Sequence, residues 1–150
     1  VNLLVKGELV CSKSYNIGTV RMLNDAVDFG EWKRLEADMR TLSEIYSGTN
    51  IIGSGGNINK LYRLAEKTDK KRQRISVIVL KSLYEKLKLL SFEERMQVFN
   101  LKPDRADVIV PASEIFLTIA EILHSEYIYV PVIGLADGII DGLYAANRNR

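Results

Sequence analysis

Thr49-Asn50-Ile51-Ile52-Gly53-Ser54-Gly55-Gly56-Asn57 is the stretch on which the fold class turns. Thr49 to Ile52 reads as a short apolar strand and Gly53 to Asn57 as a tight polar turn. Ile58, Leu61, Tyr62 and Ala65 then recur at the three- and four-residue spacing of a buried helix face. Glycines at 53, 55 and 56 permit positive φ and close approach of a ligand to the backbone. A turn of this kind directs successive N–H groups into one concavity, and the following helix adds its positive end. Ser54 and Asn57 add side-chain donors, so Gly53, Ser54, Gly55, Gly56 and Asn57 form a candidate phosphate cradle. A tight strand-to-helix turn without a ligand uses the same residues. No Gly-Lys-Ser/Thr follows, and the Gly-x-Gly-x-x-Gly spacing of dinucleotide folds is missing.

Towards the N-terminus, Leu3-Leu4-Val5 and Leu9-Val10-Cys11 flank Lys6-Gly7-Glu8, the pattern of a β-hairpin. The second strand is expected to continue through Tyr15 towards Ile17-Gly18. A long helix is expected from about Phe29, with Asp28 as N-cap and Glu31 placed for a capping box. Trp32, Leu35, Met39, Leu42 and Tyr46 line one face of it, and Ser47-Gly48 ends it. Val1-Asn2-Leu3-Leu4-Val5 reads as entry straight into a strand, so the chain is expected to be a fragment.

Towards the C-terminus, Lys67 to Arg74 is a basic connector and Ile75 to Val79 a short extended piece. A helix follows with Leu80, Leu83, Tyr84, Leu87 and Leu90 inward. Ser91 caps another, with Glu94 at the capping-box position. Pro103 opens a helix expected to run to about His124, with Val108, Ala112, Ile115, Phe116, Ile119 and Leu123 on its buried stripe. Tyr127 to Val132 reads as a strand, Gly134 as a turn, and Ile139, Ile140 and Leu143 as the start of a terminal helix. Asn147-Arg148-Asn149-Arg150 is expected to fray. The order is α/β.

The 150 residues are 47% hydrophobic and 27% charged, with a net charge of +2. That is one domain's worth of chain with a substantial core. Charges of both signs are interspersed, which argues against a DNA-binding protein. The longest apolar region, Val108 to Leu123, carries Glu114 and Glu121 and helical periodicity, so it reads as a core helix and not a membrane span. A single cysteine, Cys11, rules out an internal disulfide and suits a reducing compartment. Cys11 is read as a strand residue, and the sole histidine, His124, as a helix-end residue with no partners for a zinc site. Lys67, Lys70, Lys71, Arg72 and Arg74 form the one basic cluster, which suits either a solvated loop or attraction of a polyanion.

Read together, distant segments resemble one family. Leu101-Lys102-Pro103-Asp104-Arg105-Ala106-Asp107-Val108-Ile109 resembles the "L-x-P-x-R-A-D-x-I" signature of the exopolyphosphatase / guanosine pentaphosphate phosphohydrolase family. Leu90-Ser91-Phe92-Glu93-Glu94-Arg95 resembles its "L-S-x-E-E-R", and Gly53 to Asn57 stands where it has "G-T-G-G-T". Gly134 to Ile139 is similar to its "G-L-R-E-G" segment, and Ser14 to Arg21 to its "S-L-x-L-G-x-V-R-L". Asn57 replaces a threonine and Ala136 an arginine of those patterns.

The resemblance implies a ribonuclease-H-like lobe of the actin/hexokinase/sugar-kinase superfamily, incomplete at its N-terminal strand. It also implies a second lobe, absent here, so that the chain is the C-terminal half of a two-lobed phosphatase domain in the cytoplasm. The expected function is hydrolysis of terminal phosphate from inorganic polyphosphate or guanosine pentaphosphate, with Mg2+ in the parent enzyme. Arg105 joins the glycine turn as a ligand contact. Its alternative role is pairing with Asp104 or Asp107. The family's "D-x-G-G-G-S" loop, "D-x-G-x-N-S" loop and general-base glutamate have no counterpart in the chain. No catalytic residue and no complete metal site are therefore expected in it, and the fragment is expected to be inactive alone. Two other functions fit the sequence: a non-catalytic nucleotide or polyphosphate sensor, and an association domain whose strand edges pair into a homodimer.

Overall fold

A computed structural model describes residues 1–131 and 133–148. The order is β1 (Asn2–Val5), β2 (Glu8–Ser12), α1 (Thr19–Leu23), α2 (Phe29–Ile45), β3 (Ile51–Ile52), α3 (Gly56–Leu64) and β4 (Arg74–Ser76). There follow α4 (Val77–Leu89), α5 (Phe92–Phe99), α6 (Pro103–Ala106), α7 (Ile109–Ile122), β5 (Tyr127–Tyr129) and α8 (Leu135–Arg148). The expected α/β order is present.

β5 lies in the middle of a three-stranded sheet, parallel to β3 on one side and antiparallel to β4 on the other. The register sets Ile51 beside Ile128 and Ile128 beside Ile75, so three isoleucines form one buried row across the sheet. Ile58 and Leu61 of α3, Leu80 and Leu87 of α4, and Ile109 of α7 belong to the same core. Each side chain fully removed from water contributes about 1.5–3 kcal/mol. α7 is the central helix, with α1, α2, α3, α4 and α6 packed around it. Buried Ser113 costs nothing unpaired, because its hydroxyl donates to the Ile109 carbonyl one turn back at 2.8 Å.

The hairpin forms a two-stranded sheet of its own. Leu3 pairs with Cys11 but Leu4 with Leu9, so Val10 is an extra residue on β2 and bulges. β2 stops at Ser12 and does not continue towards Ile17-Gly18. There the chain turns to follow α2: Tyr15 and Lys13 reach Asp38, and Glu31 accepts from the Asn16 amide. That contact also explains why the expected capping box at Asp28 does not form. Asp28 caps by accepting from the Gly30 amide, but the Glu31 carboxylate is held by Asn16 and Arg34 instead.

The box at Ser91 does form, with Ser91 Oγ accepting from the Glu94 amide and Glu94 accepting from the Ser91 amide. The helix expected from Pro103 to His124 is two helices, α6 and α7. Pro111 has no N–H to give the Asp107 carbonyl four residues earlier, so the hydrogen-bond ladder restarts and Pro111 falls in the first turn of α7. The extended piece is shorter than expected: β4 ends at Ser76, which N-caps α4 through its hydroxyl. Asn147 and Arg148 continue α8; Val132, Asn149 and Arg150 of the expected strand end and tail lie outside the described residues.

Candidate phosphate site

β3 leads straight into the glycine turn, and the three glycines have three different duties. Gly53 is buried and its amide donates to the Tyr129 carbonyl at 2.8 Å, extending the β3–β5 pairing. A Cβ there would stand 2.8 Å from Ile58 Cγ1 and 3.1 Å from Phe116 Cε1, so the chain leaves the sheet through a gap only glycine fits. Gly55 has φ +107, in the region L side chains rarely adopt, and reverses the chain ahead of α3. Gly56 opens α3, and its Cβ position lies 3.0 Å from Arg105 Nη2. Packing fixes the first, backbone conformation the second, and the approach of Arg105 the third.

Among the described residues no side chain caps α3. Its first-turn amides therefore keep their donors directed outward at the positive end of the helix, beside exposed Ser54 and Gly55. Arg105, half-buried on α6, lays its guanidinium against Gly56 and donates from Nη1 to Asn57 Oδ1 at 2.7 Å. Its Nε lies 3.7 Å from Asp104 Oδ2. Thus Asn57, read from the sequence as a donor to a ligand, offers its carbonyl oxygen to Arg105. The Asp104 pairing is also present, but loose. The residues singled out in sequence, Gly53 to Asn57 and Arg105, stand together in space. Gly53 alone is turned into the core.

Arg95 holds the arginine-bearing helix in place. Its Nε donates to the Leu87 carbonyl at the end of α4 at 2.8 Å, and its Nη1 to the Ala106 carbonyl of α6 at 3.3 Å. Leu101 and Ala106 anchor α6 from below, both buried. Within Leu90 to Arg95, then, Ser91 and Glu94 start α5 and Arg95 ties it to α6. The sequence reading did not assign Arg95 a role, because a half-buried arginine bonded to carbonyls has no periodic or spacing signature. Asn59, three residues into α3, was also not anticipated: its Oδ1 is buried without a partner among the described residues.

Among the described residues no group of three or more His, Cys, Asp or Glu side chains gathers to hold a metal ion. Mg2+ needs several oxygen ligands. Near the turn Asp104 is the one carboxylate, among the described residues, that pairs with Arg105, and one carboxylate facing a guanidinium does not make such a site. No helix among the described residues is long and apolar enough to cross a membrane.

No curated protein matches the chain. Among solved structures, the type II variant of the Aquifex aeolicus Ppx/GppA phosphatase is 25% identical, with a TM-score of 0.67 over 89% of this chain and 49% of that one. A second structure of the Aquifex aeolicus family member is 24% identical, with a TM-score of 0.69 over 94% and 51%. An exopolyphosphatase from Cytophaga hutchinsonii is 16% identical, with a TM-score of 0.72 over 94% and 52%. The chain thus spans about half the length of these structures, and the likeness gives it the actin-like, ribonuclease-H-like fold. The sequence profile described as the Ppx/GppA phosphatase family matches residues 3–146. The chain belongs to the Ppx/GppA phosphatase family.

Proposed function

We propose that this chain is the C-terminal lobe of a two-lobed phosphatase domain that hydrolyses terminal phosphate from inorganic polyphosphate or guanosine pentaphosphate. The observation that carries the reading is the Arg105 guanidinium seated against Gly56 at the uncapped start of α3. Amide donors and a planar cation side by side suit a phosphoryl group, whose charge is spread over several oxygens. On this reading the lobe binds and neutralises the phosphate, while the water-activating base and the ligands for Mg2+ come from the companion lobe. Mg2+, when bound, supplies further charge neutralisation.

Phosphate release by the two-lobed protein with Mg2+ tests the reading. Arg105→Ala is expected to lower the rate at least about tenfold, equivalent to about 1.4 kcal/mol of lost stabilisation. An unchanged rate contradicts the assignment. A second reading, a sensor that binds the same ligands without turnover, is favoured by the bond from Arg105 Nη1 to Asn57 Oδ1, which engages part of the guanidinium. Tight binding without phosphate release by the two-lobed protein decides for it.

A further inference from the structure

A basin lined by several basic side chains lies at the other end of α3. Beyond Leu64 the chain loops through Lys67 to Gln73 into β4, and an open basin of about 760 Å³ lies between this loop, the end of α3 and the edge of the sheet. Its volume falls within the range of about 300–1,000 Å³ usual for small-molecule sites. α3 has nine residues. At about 1.5 Å per residue the basin and the glycine turn are separated by the helix's length, roughly 13 Å, so they are distinct places.

The charge of the basin is one-sided once its pairs are accounted for. Two carboxylates and four basic side chains line it. Glu66 is bonded to Lys86, at 2.7 Å, and Asp69 to Arg74, at 3.0 Å. Lys86 lies outside the basin lining, so it offsets Glu66 from without. That leaves Arg63, Lys67 and Lys70, all exposed, with no hydrogen-bonded or ion-pair partner among the described residues.

The basin also has a fixed, partly aromatic wall. Arg74 is only 14% exposed, with its guanidinium 3.8 Å from the Tyr127 ring centroid and held by Asp69. The Asp69 side chain further accepts from the Arg72 amide, and Asp69 pairs with Arg74 through the backbone as well. The loop that carries the lysines is therefore tied at its base and not free to swing away. A held guanidinium beside free cations is an arrangement that gains by taking up phosphate groups.

We propose that this basin is a second binding site for a phosphorylated anion, engaged through Arg63, Lys67 and Lys70 beside the Arg74–Tyr127 stack. The triphosphate group is the chemistry recognised. It is carried by short inorganic polyphosphate and by nucleoside triphosphates, and half-buried Tyr62 at the wall offers a base an aromatic neighbour. The site does not depend on the function assigned to the glycine turn.

Calorimetric titration of the full chain at low salt with inorganic triphosphate, and separately with adenosine triphosphate, tests it. The double variant Lys67→Glu/Lys70→Glu changes only exposed positions. It is expected to weaken triphosphate binding at this site at least about tenfold. Arg105→Ala should leave that site intact, and so should Lys6→Glu/Lys33→Glu, a reversal of two exposed lysines elsewhere. Tighter binding of the nucleotide identifies the base as part of the ligand, and equal binding assigns recognition to the phosphates. The proposal is overturned if the double variant binds as the unaltered protein does, or if the Lys6/Lys33 reversal weakens binding equally. Loss of binding in the double variant with none in Arg105→Ala would uphold the basin and count against the glycine turn.

Discussion

Arg105 Nη1 donates to Asn57 Oδ1 at 2.7 Å, joining two residues 48 positions apart at the mouth of the glycine turn. The bond presets the guanidinium over the start of α3, and it places a side-chain carbonyl where an incoming anion would compete for the same donors. An aspartate at position 57 keeps the shape and adds a negative charge. Asn57→Asp is expected to hold Arg105 more firmly and to weaken phosphate binding by about 1 kcal/mol, roughly fivefold. Titration of both proteins with inorganic phosphate checks this, and equal affinities would contradict it.

The glycines separate in a stability measurement. Gly53→Ala forces a methyl group into Ile58 and Phe116 and is expected to cost about 1–3 kcal/mol in urea unfolding. Gly55→Ala has open space but an unfavourable φ, and is expected to cost about 1 kcal/mol or more. Gly56→Ala meets only the flexible end of Arg105, so its stability should stay within about 0.5 kcal/mol while phosphate binding falls. A Gly56→Ala protein with unchanged phosphate affinity would argue against Arg105 acting there.

This division shows how far the sequence could be read. The strand, turn and helix around Gly53 were legible because apolar runs and glycines announce them, and the hairpin, the long helix and the Ser91 box followed from the same signals. The meeting of Arg105 with Gly56 was legible only through a family resemblance, since no local pattern links residues so far apart. The start of α7 was misjudged because Pro111 looks the same within a helix's first turn as within its middle. α1, Thr19–Leu23, buries no residue and so leaves no periodic trace. Arg95 escaped notice because its partners are main-chain carbonyls, which every residue carries.

Arg95 should reveal itself on substitution. Arg95→Ala removes the donors to the Leu87 and Ala106 carbonyls and is expected to cost about 2 kcal/mol. Arg95→Lys keeps the charge but cannot span both acceptors. Its loss of stability should be smaller, accompanied by weaker phosphate binding as α6 and Arg105 lose their hold. Unfolding and phosphate titration of both variants check this. Unchanged phosphate affinity in Arg95→Lys would limit Arg95 to a purely structural part.

Acid should loosen the tie between the hairpin exit and α2. Asp38 accepts from Lys13 Nζ at 2.6 Å and from the Tyr15 hydroxyl at 2.7 Å, and these bonds, Lys13 first, hold its carboxyl below the usual range. Tyr15 is shifted upward by burial and then by its bond to Asp38, so its phenol stays protonated. A carboxylate with a lowered folded-state pKa stabilises above its unfolded value, near 4, and that stability is lost as pH falls through the folded value. Urea unfolding at pH 6 and pH 3 should show a fall in stability that is smaller in Asp38→Asn. The same fall in both would contradict the assignment.

The most direct measurement follows the backbone amides of Gly55, Gly56 and Asn57 by nuclear magnetic resonance during titration with inorganic phosphate. Saturable shifts at these three amides, weakened at least about tenfold by Arg105→Ala, are the predicted result. Amides that stay still, or that shift with the same affinity when the guanidinium is gone, would contradict the account.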